Sequence, residues 1–314
     1  IDIGILNHRL SLTADYYVKN TTDLLNSVTL APSSGYQTTL RNIGEIQNKG
    51  FEFGLNALVF ENEFKWDVSL LLSFNRNEVV KLYEGIDVFG GEFNVNAISG
   101  VSNILREGEP VGLFWGFLED GYDADGQVVF QDLDNDGIIS ENDRTAIGDP
   151  NPDFIYSFNS SMSYKNFDFS FFIQGVQGNN LLNISSINNT IDYGIGLNMP
   201  REVFLDHWTP TNLNAKYPKP SLATNARLSP RFVEDGSYLR LANIELAYNL
   251  KLNKDWIQQA RFYVSGQNLL TLTAYSWWDP EVNSRGGANS VSQGIDHFSY
   301  PNSKAITFGV NLSF

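Results

Sequence analysis

The feature that most limits how this chain can fold is a pair of alternating runs between Asn151 and Gly178. In the first, Phe154, Tyr156, Phe158, Met162 and Tyr164 share one face, interrupted only by Ser160. Ile155 opens the other face, which Ser157, Asn159, Ser161, Ser163 and Lys165 continue. Successive side chains of a strand point to opposite sides, so this pattern predicts a strand apolar on one side and wet on the other. Lys165-Asn166 supplies the chemistry of a tight hairpin turn. The second run then sets Phe167, Phe169, Phe171 and Ile173 against Asp168, Ser170 and Gln174. Such a hairpin needs either a second protein layer or lipid against its apolar face.

The same alternation recurs along the chain. Leu10, Leu12, Ala14, Tyr16 and Val18 form one apolar face, preceded by a short partner at Ile1 to Ile5. A polar loop is expected from Thr21 to Ile43, with a turn at Pro32 to Gly35. Phe51 to Val59 and Phe64 to Phe74 follow as a hairpin, and further strands are expected at Ser237–Leu250, Arg261–Leu270 and Lys304–Phe314. Between them lie long loops at about 77–152, 179–235 and 272–302, the second with a short helix at Pro200–Trp208. Short turns at one end and long loops at the other, over antiparallel strands of about ten residues, form the pattern of an outer-membrane barrel. A soluble sandwich would cover its apolar faces with a second sheet and scatter its loop lengths.

The fold expected is therefore all-β: a transmembrane antiparallel β-barrel portion of about nine strands with long extracellular loops. Bacterial barrels close with even strand numbers, and an unpaired strand edge in hydrocarbon is costly. Ile1 also stands in mid-alternation, so earlier strands are expected to complete the barrel. The last strand sets Ile306, Phe308, Val310, Leu312 and Phe314 on one face, and a strand ending in Phe is the kind of signal that barrel-assembly machinery reads.

Composition narrows the function classes. The chain has no cysteine, which removes disulfides, thiolate metal sites and a Cys nucleophile. Its net charge is −15, and eleven Asp and Glu lie between Glu119 and Asp153 against Arg144 alone. With no basic stripe, nucleic acid is not an expected partner. No apolar run reaches the ~18 residues of a transmembrane helix.

Six segments carry a family resemblance: Asn48–Glu52 (NKGFE), Gly148–Phe154 (GDPNPDF), Phe172–Asn179 (FIQGVQGN), Phe232–Ile244 (FVEDGSYLRLANI), Val264–Leu270 (VSGQNLL) and Asp279–Val282 (DPEV). In this order the chain resembles the C-terminal third of a SusC/RagA-family TonB-linked outer-membrane protein of Bacteroidota. The resemblance implies a barrel of about 22 strands around an N-terminal plug. It implies import of glycans or peptides with a SusD-like lipoprotein over the mouth. Energy would come from TonB–ExbB–ExbD through an N-terminal part outside these residues. A barrel of this kind serving as a scaffold in a larger outer-membrane complex is a second reading, and a soluble Ca²⁺-binding β module is a third.

The sharpest local motif is Asp132-Leu-Asp134-Asn-Asp136-Gly137-Ile138-Ile139-Ser140-Glu-Asn-Asp143. Oxygen donors at loop positions 1, 3, 5, 9 and 12, with Gly at 6 and the Ile138 carbonyl at 7, match an EF-hand calcium loop. A structural Ca²⁺ site is expected here, with Asp143 offering a shorter reach than Glu and Ile139 anchoring the loop inward. Loop aromatics, chiefly Trp115, Trp208, Trp277 and Trp278, are candidates for stacking on a ligand, or for packing the loops together. The three His lie apart, and neither a G-x-S-x-G elbow nor an H-E-x-x-H helix occurs, so no enzyme is expected.

Overall fold

The computed structural model describes the whole chain except residues 30–34, 36–37, 91, 96–97, 192–195, 197, 222–224, 255 and 285–290. Among the described residues the largest sheet has nine strands in chain order. These are β1 (Asp2–Ile5), β2 (Leu10–Thr29), β3 (Thr38–Glu61), β4 (Phe64–Leu82), β5 (Phe154–Tyr164), β6 (Phe167–Gln177), β7 (Tyr238–Lys254), β8 (Ile257–Thr273) and β9 (Ala305–Ser313). Each pairs antiparallel with the next, giving one meandering wall.

The register lines up the apolar positions that alternation marked. One row runs Ile3, Leu12, Leu55, Leu70, Phe158, Ile173, Leu241, Leu270 from β1 to β8, each residue opposite the next. Further rings bracket this apolar row. Towards the long loops Tyr16 meets Phe51 at 4.8 Å, and Phe74 meets Phe154 at 5.6 Å. Towards the short turns Phe60, Phe64 and Trp66 cluster, and Phe167 meets Tyr248 at 4.9 Å. An apolar band flanked by aromatic girdles is what a bilayer selects on the outer face of a barrel. No protein covers that face among the described residues; Phe308, for one, is 79% exposed. A sandwich is thereby excluded.

Ser160, the interruption in the apolar run, has a specific partner. It is 1% exposed, and its Oγ accepts a hydrogen bond from Trp66 Nε1 at 3.0 Å. In hydrocarbon an unmade hydrogen bond is expensive, so the indole N–H needs an acceptor on its own face. The inner face is lined instead by hydroxyls and amides. Tyr17 Oη donates to Asn75 Oδ1 at 2.9 Å, and Asn75 Nδ2 donates to Asn48 Oδ1 at 3.2 Å. Tyr17 lies over Gly50 on the neighbouring strand, where a Cβ would stand 2.4 Å from the ring.

Two expectations change. The polar stretch Thr21 to Ile43 continues the β2–β3 hairpin, with register shifts between Thr21 and Leu25 and a positive φ of 57° at Asp23. The register shifts throw successive side chains out of phase, so no unbroken alternation marks this stretch. The turn expected at Pro32 to Gly35 falls outside the described residues except for Gly35. The long connections, in turn, fold into a layer of their own. It holds a four-stranded sheet (Arg144–Gly148, Leu113–Phe117, Asn103–Leu105 and Val88–Phe89) and a three-stranded one (Val233–Asp235, Asn180–Asn183 and Ile295–Asp296). It also holds the helices α1 (Ser185–Thr190) and α2 (Arg201–Leu205), the latter shorter than the Pro200–Trp208 expected. His207 has already left the helix to bridge with Tyr217.

All three long loops contribute to one core. Phe93, Phe114 and Ile147 from the first meet Leu182, Ile184, Ile187 and Leu228 from the second and Ile295 from the third. Each such side chain contributes about 1.5–3 kcal/mol on burial. The layer is tied to the wall by polar contacts. Arg240 on β7 is 2% exposed and donates to Asp279 and to Glu281, the latter at 2.8 Å. Asn77 on β4 accepts from Val111 N at 2.7 Å and donates to Asn151 Oδ1 at 2.6 Å.

Candidate functional site

The Asp-rich turn lies between strand Val128–Phe130 and strand Arg144–Gly148. Left-handed backbone at Asn135 (φ 61°) and Gly137 (φ 85°) folds it sharply, a conformation that glycine adopts at little cost. Carboxylate oxygens of Asp132, Asp134 and Asp136 come within 4.8 Å of one another. Asp132 Oδ2 accepts from Gly137 N at 2.7 Å, and Asp136 Oδ1 accepts from Ile138 N at 2.7 Å. Ile139 packs against Phe117, Val128 and Phe130, while the Ile138 side chain is exposed.

Asp143, expected at the twelfth loop position, has both carboxylate oxygens engaged by backbone amides. Its side chain is buried, with Oδ2 accepting from Ser140 N and Oδ1 from Leu133 N, both at 2.7 Å. Ser140 Oγ in turn accepts from Asn142 N, which closes a capping box on the single turn Glu141–Asp143. The Ser140 amide, followed by those of Leu133 and Asp134 and by the Arg227 charge, holds the Asp143 carboxyl below the usual carboxylate range, against the opposing pull of its desolvation. Three converging carboxylates on a tight turn are hard oxygen donors of the kind Ca²⁺ takes. Asp143 shapes the turn from behind them.

The four tryptophans separate. Trp115 is buried beside Ile104 and Leu113, with the Arg106 guanidinium 4.4 Å over its ring. Trp208 is buried against Gly126, where a Cβ would strike the indole. Trp277 lines a cavity of about 650 Å³, and its Nε1 is buried with no acceptor among the described residues. Trp278 is 69% exposed and stands edge-on to it at 6.1 Å. Those two rings, unlike the others, are placed to meet something from outside.

The same cavity gathers charges that lie far apart in sequence. Glu202 accepts from Tyr217 Oη at 2.9 Å, Glu234 accepts from Asn183 Nδ2 and Ser276 N at 2.8 Å, and Arg231 pairs with Glu119 at 2.6 Å. The Tyr217 hydroxyl raises the pKa of the Lys216 ammonium, against partial desolvation, with Glu202 and Glu234 adding to the shift. Apolar wall between these groups comes from Ala274, Val233 and Pro200. The space can therefore hold an amphipathic solute with both hydrogen-bonding and flat apolar surfaces. Nothing in local spacing marks Lys216, Arg231 and Glu234 as neighbours, because the folding of the second long connection brings them together and the third adds Ala274, Ser276 and Trp277.

Residues 1–269 match the family model described as TonB dependent receptor-like, beta-barrel. A TonB-dependent receptor of Formosa agariphila is 39% identical over the whole chain, which spans 33% of that relative. The TonB-dependent receptor SusC of Bacteroides thetaiotaomicron is 30% identical, again over the whole chain and 31% of the relative. The structure of the RagAB peptide transporter superposes on 99% of this chain and 34% of its own with a TM-score of 0.82 at 25% identity. The chain thus spans about a third of the length of the relatives it matches.

Proposed function

Because the chain belongs to the TonB-dependent receptor-like β-barrel family of the outer membrane, we propose that it forms the C-terminal wall and extracellular layer of an importer. The observation carrying this reading is the wall itself, apolar outside and lined with hydroxyls and amides inside, under a folded layer with an amphipathic cavity. A polar lumen lets a hydrated solute pass, and a rigid layer above it selects what enters. The likeness to the RagAB peptide transporter favours peptide cargo, and the SusC/RagA resemblance leaves glycans as the other class. A SusD-like lipoprotein would cover the mouth, and TonB–ExbB–ExbD would supply the work through the N-terminal part of the full protein. The test is uptake of labelled oligosaccharides and oligopeptides by cells with and without the full-length gene. Equal uptake of every cargo in the two strains would overturn import and favour the scaffold reading.

The Asp-rich turn is read as a structural Ca²⁺ site held by Asp132, Asp134 and Asp136, with the Ile138 carbonyl and Ser140 beside them. Three carboxylates this close repel one another, and a divalent cation would remove that repulsion and stiffen the turn. Replacing Asp132 and Asp136 by Ala should abolish Ca²⁺-dependent protection of the turn from protease. Equal cleavage of the unaltered protein with and without Ca²⁺ would refute the site.

A further inference from the structure

Beside the Asp-rich turn lies a second cavity, of about 310 Å³, whose lining includes Arg144, Arg227, Asn225, Ser99 and Glu141. It carries two cations against one carboxylate, in the most acidic stretch of the chain. Phe117 sets both guanidinium groups, with the Arg227 carbon 4.6 Å and the Arg144 carbon 5.5 Å from its ring centroid. Cation–π contact of this kind holds a guanidinium in place without consuming its N–H donors.

Those donors are only partly used. The Arg144 side chain is 5% exposed; Nη2 donates to the carbonyls of Val101 and Trp115, and Nη1 donates to Glu141 at 2.9 Å. Its Nε–H is buried and has no acceptor among the described residues. Arg227 donates from Nη2 to the Ile139 carbonyl at 3.2 Å, and forms no salt bridge among the described residues. Asp143, the other nearby acid, has its oxygens occupied by backbone amides. Glu141 holds only one edge of Arg144, and its own side chain is 77% exposed. A buried, unmet N–H beside a guanidinium whose hydrogen bond goes only to a carbonyl favours an incoming oxyanion over a neutral group, because charge-assisted hydrogen bonds are roughly twice as strong as neutral ones.

We propose that this cavity binds the carboxylate or sulfate group of a small extracellular solute, through Arg227 and the N–H groups of Arg144 that are still uncommitted. Glu141 then acts as a tethered competitor for the same guanidinium. The site stands apart from the Trp277 cavity and from the Asp132–Asp136 carboxylates, and it does not depend on import.

The test titrates purified full-length protein in detergent with glucuronate, glucose 6-sulfate and glucose, which differ only in the group at carbon 6, and reads binding by calorimetry. One or both acids should bind while glucose does not, and the acid that binds identifies the group. Arg227→Gln should weaken that binding about tenfold, as loss of one charge-assisted contact predicts. Glu141→Gln should tighten it, and added salt should weaken it. Unchanged heat-modifiable migration of both variants on gels shows that the barrel is intact. Equal binding of glucose, no binding of either acid to the unaltered protein and to Glu141→Gln, or affinities unmoved by both substitutions would each overturn the proposal. The titration needs neither energised transport nor a partner, so its failure and the failure of import are separable.

Discussion

Phe51, Phe262 and Phe308 stand on the outer face of the wall with no protein over them, whereas Phe93, Phe114 and Phe232 are shut inside the loop-layer core. The same side chain is thus used in two solvents. In the wall the apolar residue sits outside and hydroxyls and amides sit inside; in the layer the order is that of a water-soluble domain. The wall gains little from apolar packing, because its outer residues face acyl chains as apolar as themselves. Its cohesion lies in the continuous ladder of backbone hydrogen bonds from β1 to β9, which cannot be exchanged for water in a membrane. The layer depends on burying apolar surface from water, so it fails or holds as a small globular domain does.

Substitutions that act on one region and spare the other sharpen this contrast. The largest effect is expected from Phe114→Ala, which empties a fully buried site in the layer core and should cost about 3–5 kcal/mol. Limited proteolysis should then cut the long loops, while the full-length barrel keeps its heat-modifiable migration. Phe171→Arg places a charge on the outer face of β6, opposite Ser160, and should cost about 2–4 kcal/mol. Its effect should be the reverse, with loss of the heat-modifiable barrel band; Ser170→Arg, on the inner face, should be tolerated. Equal outcomes for the two arginines would break the assignment of faces.

Smaller effects follow from single polar contacts. Ser160→Ala leaves the Trp66 N–H without its acceptor and should cost about 1–3 kcal/mol in barrel stability. Adding Trp66→Phe should restore most of the loss, because both ends of the bond are then gone. The smallest effect is a pH dependence in the Asp-rich turn. The Asp143 carboxyl lies below its ordinary range in the folded protein, so its stabilisation is full above the unfolded pKa and is lost as pH falls through the folded value. Protease protection of residues 132–144 should fall with acidification, and Asp143→Asn should give a flat profile already at the low level.

Much of the wall was legible because a bilayer on one side and water on the other impose a period of two along every spanning strand. Alternation therefore located all nine strands and the outward faces of six of them, and turn chemistry at Lys165-Asn166 located the central hairpin. The rule is silent where register shifts interrupt the period, and so the upper β2–β3 hairpin read as loop. It is silent again in the long connections, whose short strands of two to five residues carry too few positions to show a period.

Within the site, the motif Asp132-x-Asp134-x-Asp136-Gly137 foretold the three converging carboxylates, since Gly137 permits the turn that brings neighbours in sequence together. The motif did not foretell that Asp143 faces backbone amides, because that depends on how the turn Glu141–Asp143 packs behind it. By itself, then, the sequence determined the wall, its faces and the sharp acidic turn, all of which follow from residues a few positions apart. Tertiary structure decided the shared core of the three loops, the pairing of Ser160 with Trp66, and the grouping of Arg144 with Arg227 around Phe117. Those contacts join residues tens of positions apart, and their energy comes from fit and burial that no local period records.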